Sequence, residues 1–268
     1  MPNKFLNLIK PKNNIINLNC LKKNNYSIDE SSVVEKYFKY LKIKKGIMFD
    51  VGAFRGSSAD YFIKKKWDAH LFEPNKVMFE VLRNKYEKLN NITLSNLAVD
   101  EVSNKSVDLY LSNESIAIAS LLNFHKSHYF GEKVSTISLK DYIKNNNIHK
   151  VNYLKVDTEG MDLFVLRGFD WNLLKPEIIT VEYEYSKSIQ LNYTPDQLAS
   201  FLQDKNYEVY VSEWYPIEKY GSKHSIKSFY KYEPNIIPND SWGNLIAFLT
   251  KPNEKKLLKL FMSDLVRY

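Results

Sequence analysis

One cysteine, Cys20, stands in a chain of 268 residues, which excludes an internal disulfide and a thiolate-rich zinc site. Long apolar runs are missing too. No stretch approaches the roughly eighteen consecutive apolar residues of a membrane span. Residues 1–12 contain Pro2 and Pro11 and lack the apolar core of a secretory signal. Glycine is scarce, and the eight present complete neither a G-x-G-x-x-G dinucleotide turn nor a Gly-Lys-Ser/Thr phosphate cradle. These absences lead us to expect a cytoplasmic protein that does not bind its ligand through a pyrophosphate loop.

What remains is a chain with 44% hydrophobic and 26% charged residues, enough for one core and an appendage. The net charge of +7 favours acidic partners. The lysines are scattered, as at Lys42, Lys44, Lys45 and the run Lys64, Lys65, Lys66, so a nucleic-acid partner is not expected from charge alone. Residues 1–45 read as a helical or irregular appendage for packing, self-association or peripheral membrane contact. Residues 46–252 read as the main domain, with an aromatic insert at 216–242, and residues 253–268 as an amphipathic helix.

The chain is organised around residues 47–56, an apolar run that ends in Asp50 and turns through Gly52 and Gly56. A second β-prone run, 69–74, ends in Glu73 and Pro74 about twenty residues past the turn, the spacing of nucleotide sites in doubly wound sheets. Acids at both strand ends suit a cationic, ribose-bearing ligand better than a pyrophosphate. S-adenosylmethionine fits. The backbone at Asp50, Gly52, Ala53, Phe54, Gly56 and Ser57 would take its methionyl part, Glu73 would accept from its ribose hydroxyls, and Ala98, Val99 and Asp100 would wall the adenine.

Along the chain, a helix is expected from Ser31 or Ser32, capped by serine, and another after Ser57 and Ser58. Residues 77–89 read as a helix with Val77, Val81, Leu82 and Tyr86 inward, 92–99 as a third strand, and 113–133 as a polar loop with His125 and His128. Residues 139–145 form a helix, 151–157 a fourth strand, and 178–184 a fifth. Thr194 and Pro195 open a further helix. Residues 207–214 and 245–249 supply the closing strands.

Three blocks, 49–56 (FDVGAFRG), 72–74 (FEP) and 154–168 (LKVDTEGMDLFVLRG), resemble the FkbM-type S-adenosylmethionine-dependent methyltransferases in order and spacing. The resemblance implies a class I methyltransferase fold: an α/β, Rossmann-like sheet, mostly parallel with an antiparallel closing strand and helices on both faces. The task it implies is O-methylation of a sugar or similar hydroxyl. Two positions depart from the pattern. Phe54 stands where asparagine is usual, and Asp162 where glutamate is usual.

Asp157 is the expected base or acceptor-orienting group, and it also borders the cofactor. Glu159 is second, Glu182 would bond acceptor hydroxyls, and His125 or His128 are alternative bases. Asp157, Glu159 and Glu182 could instead hold Mg or Mn. The expected acceptor is a glycan or a nucleotide- or lipid-linked sugar. An RNA ribose methyltransferase and a catalytically silent module of a glycan-synthesis complex are the alternatives.

Overall fold

A computed structural model describes residues 16–17 and 26–267. The expectations for residues 1–15 and 18–25, Cys20 among them, lie outside the described residues. Strand β1 (Ile16–Asn17) is followed by β2 (Tyr26–Ser27), helix α1 (Glu30–Tyr40), β3 (Ile47–Val51), α2 (Ser57–Ile63), β4 (Asp68–Phe72), α3 (Lys76–Tyr86), β5 (Ile92–Ser95) and β6 (Ala98–Val99). Next come β7 (Ser106–Ser112), β8 (His128–Ile137), α4 (Leu139–Asn145), β9 (Tyr153–Val156), α5 (Asp162–Arg167), β10 (Ile178–Glu184) and the single-turn α6 (Tyr185–Ser188). The chain continues through α7 (Pro195–Asp204), β11 (Glu208–Trp214), β12 (Ile226–Lys231), β13 (Trp242–Phe248), α8 (Glu254–Asp264) and β14 (Val266–Arg267).

Nine strands form one sheet in the order β1-β12-β11-β13-β10-β9-β3-β4-β5. The pairs from β5 through β10 are parallel, and β13 runs antiparallel to both β10 and β11. This is the class I methyltransferase sheet that the sequence motifs imply, with helices on both faces. The two-residue alternation of the strands decides which helices cover which face. Phe49, Val51, Leu154, Val156, Ile179 and Val181 pack with α4, α5 and α7. Met48, Leu71, Tyr153 and Ile246 pack with α1, α2 and α8. By the same alternation Asp50 and Lys155, paired in register on β3 and β9, share the α1 and α2 side.

Several local expectations are corrected. The cap of α1 is Asp29, whose carboxylate accepts the Ser31 N–H at 3.0 Å. Ser31 and Ser32 lie inside the helix, and Ser32 donates to Asp264 at 2.7 Å. Helix α2 starts from Gly56 in the left-handed region, with no side-chain cap from Ser57 or Ser58. In α3 the Asn75 side chain accepts from the N–H groups of Val77 and Met78, and the helix buries Met78, Leu82 and Tyr86. Val77 and Val81 face outward instead.

The expected third strand breaks in two, because Ala98–Val99 leaves the main sheet to pair with Thr136 and Ile137 of β8. Residues 128–133 are strand, not loop, since β8 forms a ladder with β7. Part of the 216–242 segment joins the sheet as β12, where Phe229 stacks on Phe261 with ring centroids 4.2 Å apart. Tyr230 and Tyr232 are buried with it.

Candidate active site

The parallel strands β3, β4 and β9 end at one edge of the sheet, and the turns that follow them surround a cavity. At the first turn Gly52 and Ala53 both donate their N–H to the Phe72 carbonyl, at 3.0 and 2.9 Å. Gly52 has φ +78°, and a Cβ on it would lie 1.8 Å from the Asp157 carbonyl oxygen. Only glycine meets both demands. Phe54 takes φ +49°, a conformation bulky residues rarely adopt, and it lines the cavity. The Arg55 guanidinium lies 5.1 Å from the centre of the Phe54 ring.

Glu73 is buried at the end of β4. One carboxylate oxygen accepts the Phe54 N–H at 2.8 Å, and the other accepts the Asn75 N–H at 2.9 Å. Burial pushes its carboxyl up to about 7, against the pull of these two donors. Each oxygen keeps a second lone pair for a ligand hydroxyl.

The turn after β9 is held by Asp162. Its carboxylate accepts the Thr158 N–H and hydroxyl, both at 3.0 Å, and the Gly160 N–H at 3.1 Å. Burial raises the Asp162 carboxyl to about 6. Ser120 and Tyr193 donate to the carbonyls of Glu159 and Gly160 at 2.8 and 2.7 Å. Glu159 adopts φ +56° within this clamped turn.

Lysines neutralise the acids beyond it. The Lys155 ammonium stands 3.1 Å from Asp157 and 3.4 Å from Asp50. Among the described residues no hydrogen bond reaches either oxygen of Asp50, and Asp50 does not line the cavity. After β10 the chain coils into α6 and brings Lys187 back over the strand end. Its ammonium pairs with Glu159, lies 2.7 Å from Glu184 and 3.7 Å from Glu182, and rests 4.8 Å from the Phe124 ring centre. Burial raises the carboxyls of Glu159 and Glu182, whereas the surrounding carboxylates hold Lys187 charged.

Of the residues expected from the sequence, Gly52, Phe54, Glu73, Pro74, Ala98, Val99, Asp157 and Glu159 line the cavity. Ala53, Gly56 and Ser57 shape the turn behind it. Asp100 turns away, accepting its neighbour's N–H at 2.7 Å and facing Lys105. His128 donates from Nε2 to the Ile118 carbonyl at 3.0 Å, and burial lowers its imidazole. It thereby anchors segment 116–121, which lines the cavity, and does not line the cavity itself. His125 sits edge-on to Tyr220, 5.3 Å between ring centres. Lys155, Lys187 and the bonding role of Asp162 escape sequence reading, although Glu184 and Lys187 stand at the three-residue spacing of helical ion pairs.

Asp157, Glu159 and Glu182 bring one oxygen each within 4.8 Å of one another, the compactness a divalent cation requires. The expected Mg or Mn site fits poorly all the same. Every one of these carboxylates already faces a lysine ammonium.

Among curated proteins none matches the chain. Solved structures do resemble it. A precorrin-6y C5,15-methyltransferase from Geobacter metallireducens is 14% identical, with 82% of this chain and 87% of that chain covered and a TM-score of 0.41. An rRNA methylase from Streptococcus thermophilus is 8% identical, with 76% and 95% covered and a TM-score of 0.41. TrmK from M. capricolum, in complex with S-adenosyl-homocysteine, is 14% identical, with 76% and 71% covered and a TM-score of 0.39. The family description "methyltransferase FkbM domain" matches residues 50–209, more than half of the chain. The chain belongs to the FkbM methyltransferase family.

Proposed function

We propose that this S-adenosylmethionine-dependent methyltransferase transfers the methyl group to a hydroxyl of a sugar or glycan. One observation carries the cofactor side of this reading. In a chain of net charge +7, the cavity has Glu73, Asp157 and Glu159 as its charged lining and neither lysine nor arginine. Such a wall favours a cation over a phosphate. Glu73 would hold the ribose, Phe54, Pro74, Leu97, Ala98 and Val99 the adenine, and the Gly52 turn the methionyl end. S-adenosylmethionine supplies an electrophilic methyl group on a positively charged sulfur. The cavity, about 160 Å³, is tighter than the roughly 300–1,000 Å³ of small-molecule sites.

On the acceptor side, Asp157 is the proton acceptor or orienting group for the hydroxyl, and Glu159 and Glu182 stand beside it. Alignment of the acceptor supplies much of the rate, and a nearby base adds to it. Carboxylates next to the rings of Phe124 and Tyr220 suit a neutral, polyhydroxylated acceptor and repel a nucleic-acid backbone. A phosphate carrier attached to the sugar would reach outward, toward exposed Lys126 and Lys219.

Calorimetric titration with S-adenosylhomocysteine tests the cofactor assignment. The wild type should bind at about micromolar Kd, roughly -8 kcal/mol, and Glu73→Ala should lose most of it. No binding by the wild type would move the reading to a silent module. Asp157→Asn should keep that binding and lose turnover on a sugar acceptor.

A further inference from the structure

We propose that Lys187, paired with Glu159, Glu182 and Glu184, is a built-in cation that takes the place of a divalent metal at Asp157, Glu159 and Glu182, positions the carboxylates it meets and makes the site independent of Mg²⁺ and Mn²⁺. The inference rests on the reading of this edge as the acceptor side.

Three carboxylates surround the ammonium. Glu159 pairs with it, Glu184 lies at 2.7 Å and Glu182 at 3.7 Å. The rings of Phe124 and Tyr220 lie 4.8 and 5.8 Å from it and close the remaining side. The Lys187 side chain is 2% exposed. A lysine so buried persists only when its charge is paired. An ammonium is a compact charge: Lys187 donates to Glu159 and faces Glu184 and Glu182 as ion-pair partners.

The carboxylates themselves have the geometry of a metal site. Asp157, Glu159 and Glu182 each offer an oxygen within 4.8 Å of the others. Lys187 meets two of them and Lys155 meets the third. Charge explains why an ammonium serves here. Against three carboxylates an ammonium offsets one charge where a divalent ion would offset two, so it leaves the edge more negative beside a cationic cofactor. Lys187 is therefore a positioning residue, acting through the acids it holds.

The test is metal binding, read without any methyl acceptor. Wild type, Lys187→Ala, Lys187→Arg, Glu182→Gln and the double variant Lys187→Ala/Glu182→Gln are titrated with MnCl₂ by calorimetry, with thermal melts in parallel. Lys187→Ala should bind Mn²⁺ roughly tenfold or more tighter than the wild type and gain melting temperature from it. Lys187→Arg should behave as the wild type, and the double variant should lose the gain. A folded Lys187→Ala that takes no Mn²⁺ would overturn the proposal. So would wild-type binding that Glu182→Gln removes, and this second comparison decides the matter if Lys187→Ala does not fold. Failure of the cofactor reading shows separately, as absent S-adenosylhomocysteine binding by the wild type.

Discussion

The two ends of the cavity satisfy their acids by different means. At the Gly52 end, Glu73 is held by backbone N–H groups from Phe54 and Asn75, close neighbours in two short turns. At the Asp157 end, the acids are held by ammonium groups, with Lys187 returning from a helix beyond the next strand. Backbone donors fix a position and leave the wall negative. Lysines fix a position and offset charge, so this end can crowd several carboxylates together. The difference teaches where each end is vulnerable: the first to backbone change, the second to loss of a single side chain.

Gly52→Ala should produce the largest effect and break the first end alone. The added Cβ would meet the Asp157 carbonyl oxygen in a left-handed conformation. The expected cost exceeds about 3 kcal/mol, a fall in melting temperature of roughly 10 °C or loss of soluble protein. An unchanged melt would show that the β3 and β9 turns do not approach one another as described.

Asp162→Ala should come next and loosen the second end. It strands the N–H groups of Thr158 and Gly160, at about 2–3 kcal/mol by thermal or urea unfolding. The wild type should add a pH signature. Its folded carboxyl titrates at about 6 against an ordinary 3.8, so between these values the folded state binds the extra proton. This contribution to stability is full below about pH 4 and is lost as pH rises through 6. The slope should be shallower in Asp162→Ala, and equal slopes would remove Asp162 as its source.

The smallest effect is expected at Phe54, which sharpens the comparison by separating strain from ligand contact. Asparagine tolerates the left-handed conformation, so Phe54→Asn should raise stability by up to about 1 kcal/mol. The same change removes the ring of a cavity-lining residue and should weaken S-adenosylhomocysteine binding. A destabilised variant would mean that the ring is part of the core.

The parallel strands β3, β4, β9 and β10, the antiparallel closing strands β11 and β13 and the acids that end β3, β4 and β9 were legible in the sequence, whereas β1 and β12 were not. Asp50, Gly52, Glu73 and Asp157 each close a strand whose period and length are local, and the order of those strands places their ends on one edge. The sequence also carried the exact spans of α4 and β10, the threonine cap of α7 and the core faces that alternate along each strand. Helix α3 shows the limit. Its presence was legible, but it was read as 77–89 and ends at Tyr86, and with Asn75 as its cap Val77 and Val81 face outward.

The second end depends on packing between distant segments. Periodicity reports how a segment faces its own neighbours, and it is silent on which distant charge arrives beside an acid. Glu159 and Glu182 read as a candidate base and an acceptor-binding group in the sequence, with a metal site as the alternative, because spacing gives them no partner. Folding brings Lys187, Phe124 and Tyr220 to them from three separate segments. A buried charge must be matched where it lies, and that match is a property of the packed chain.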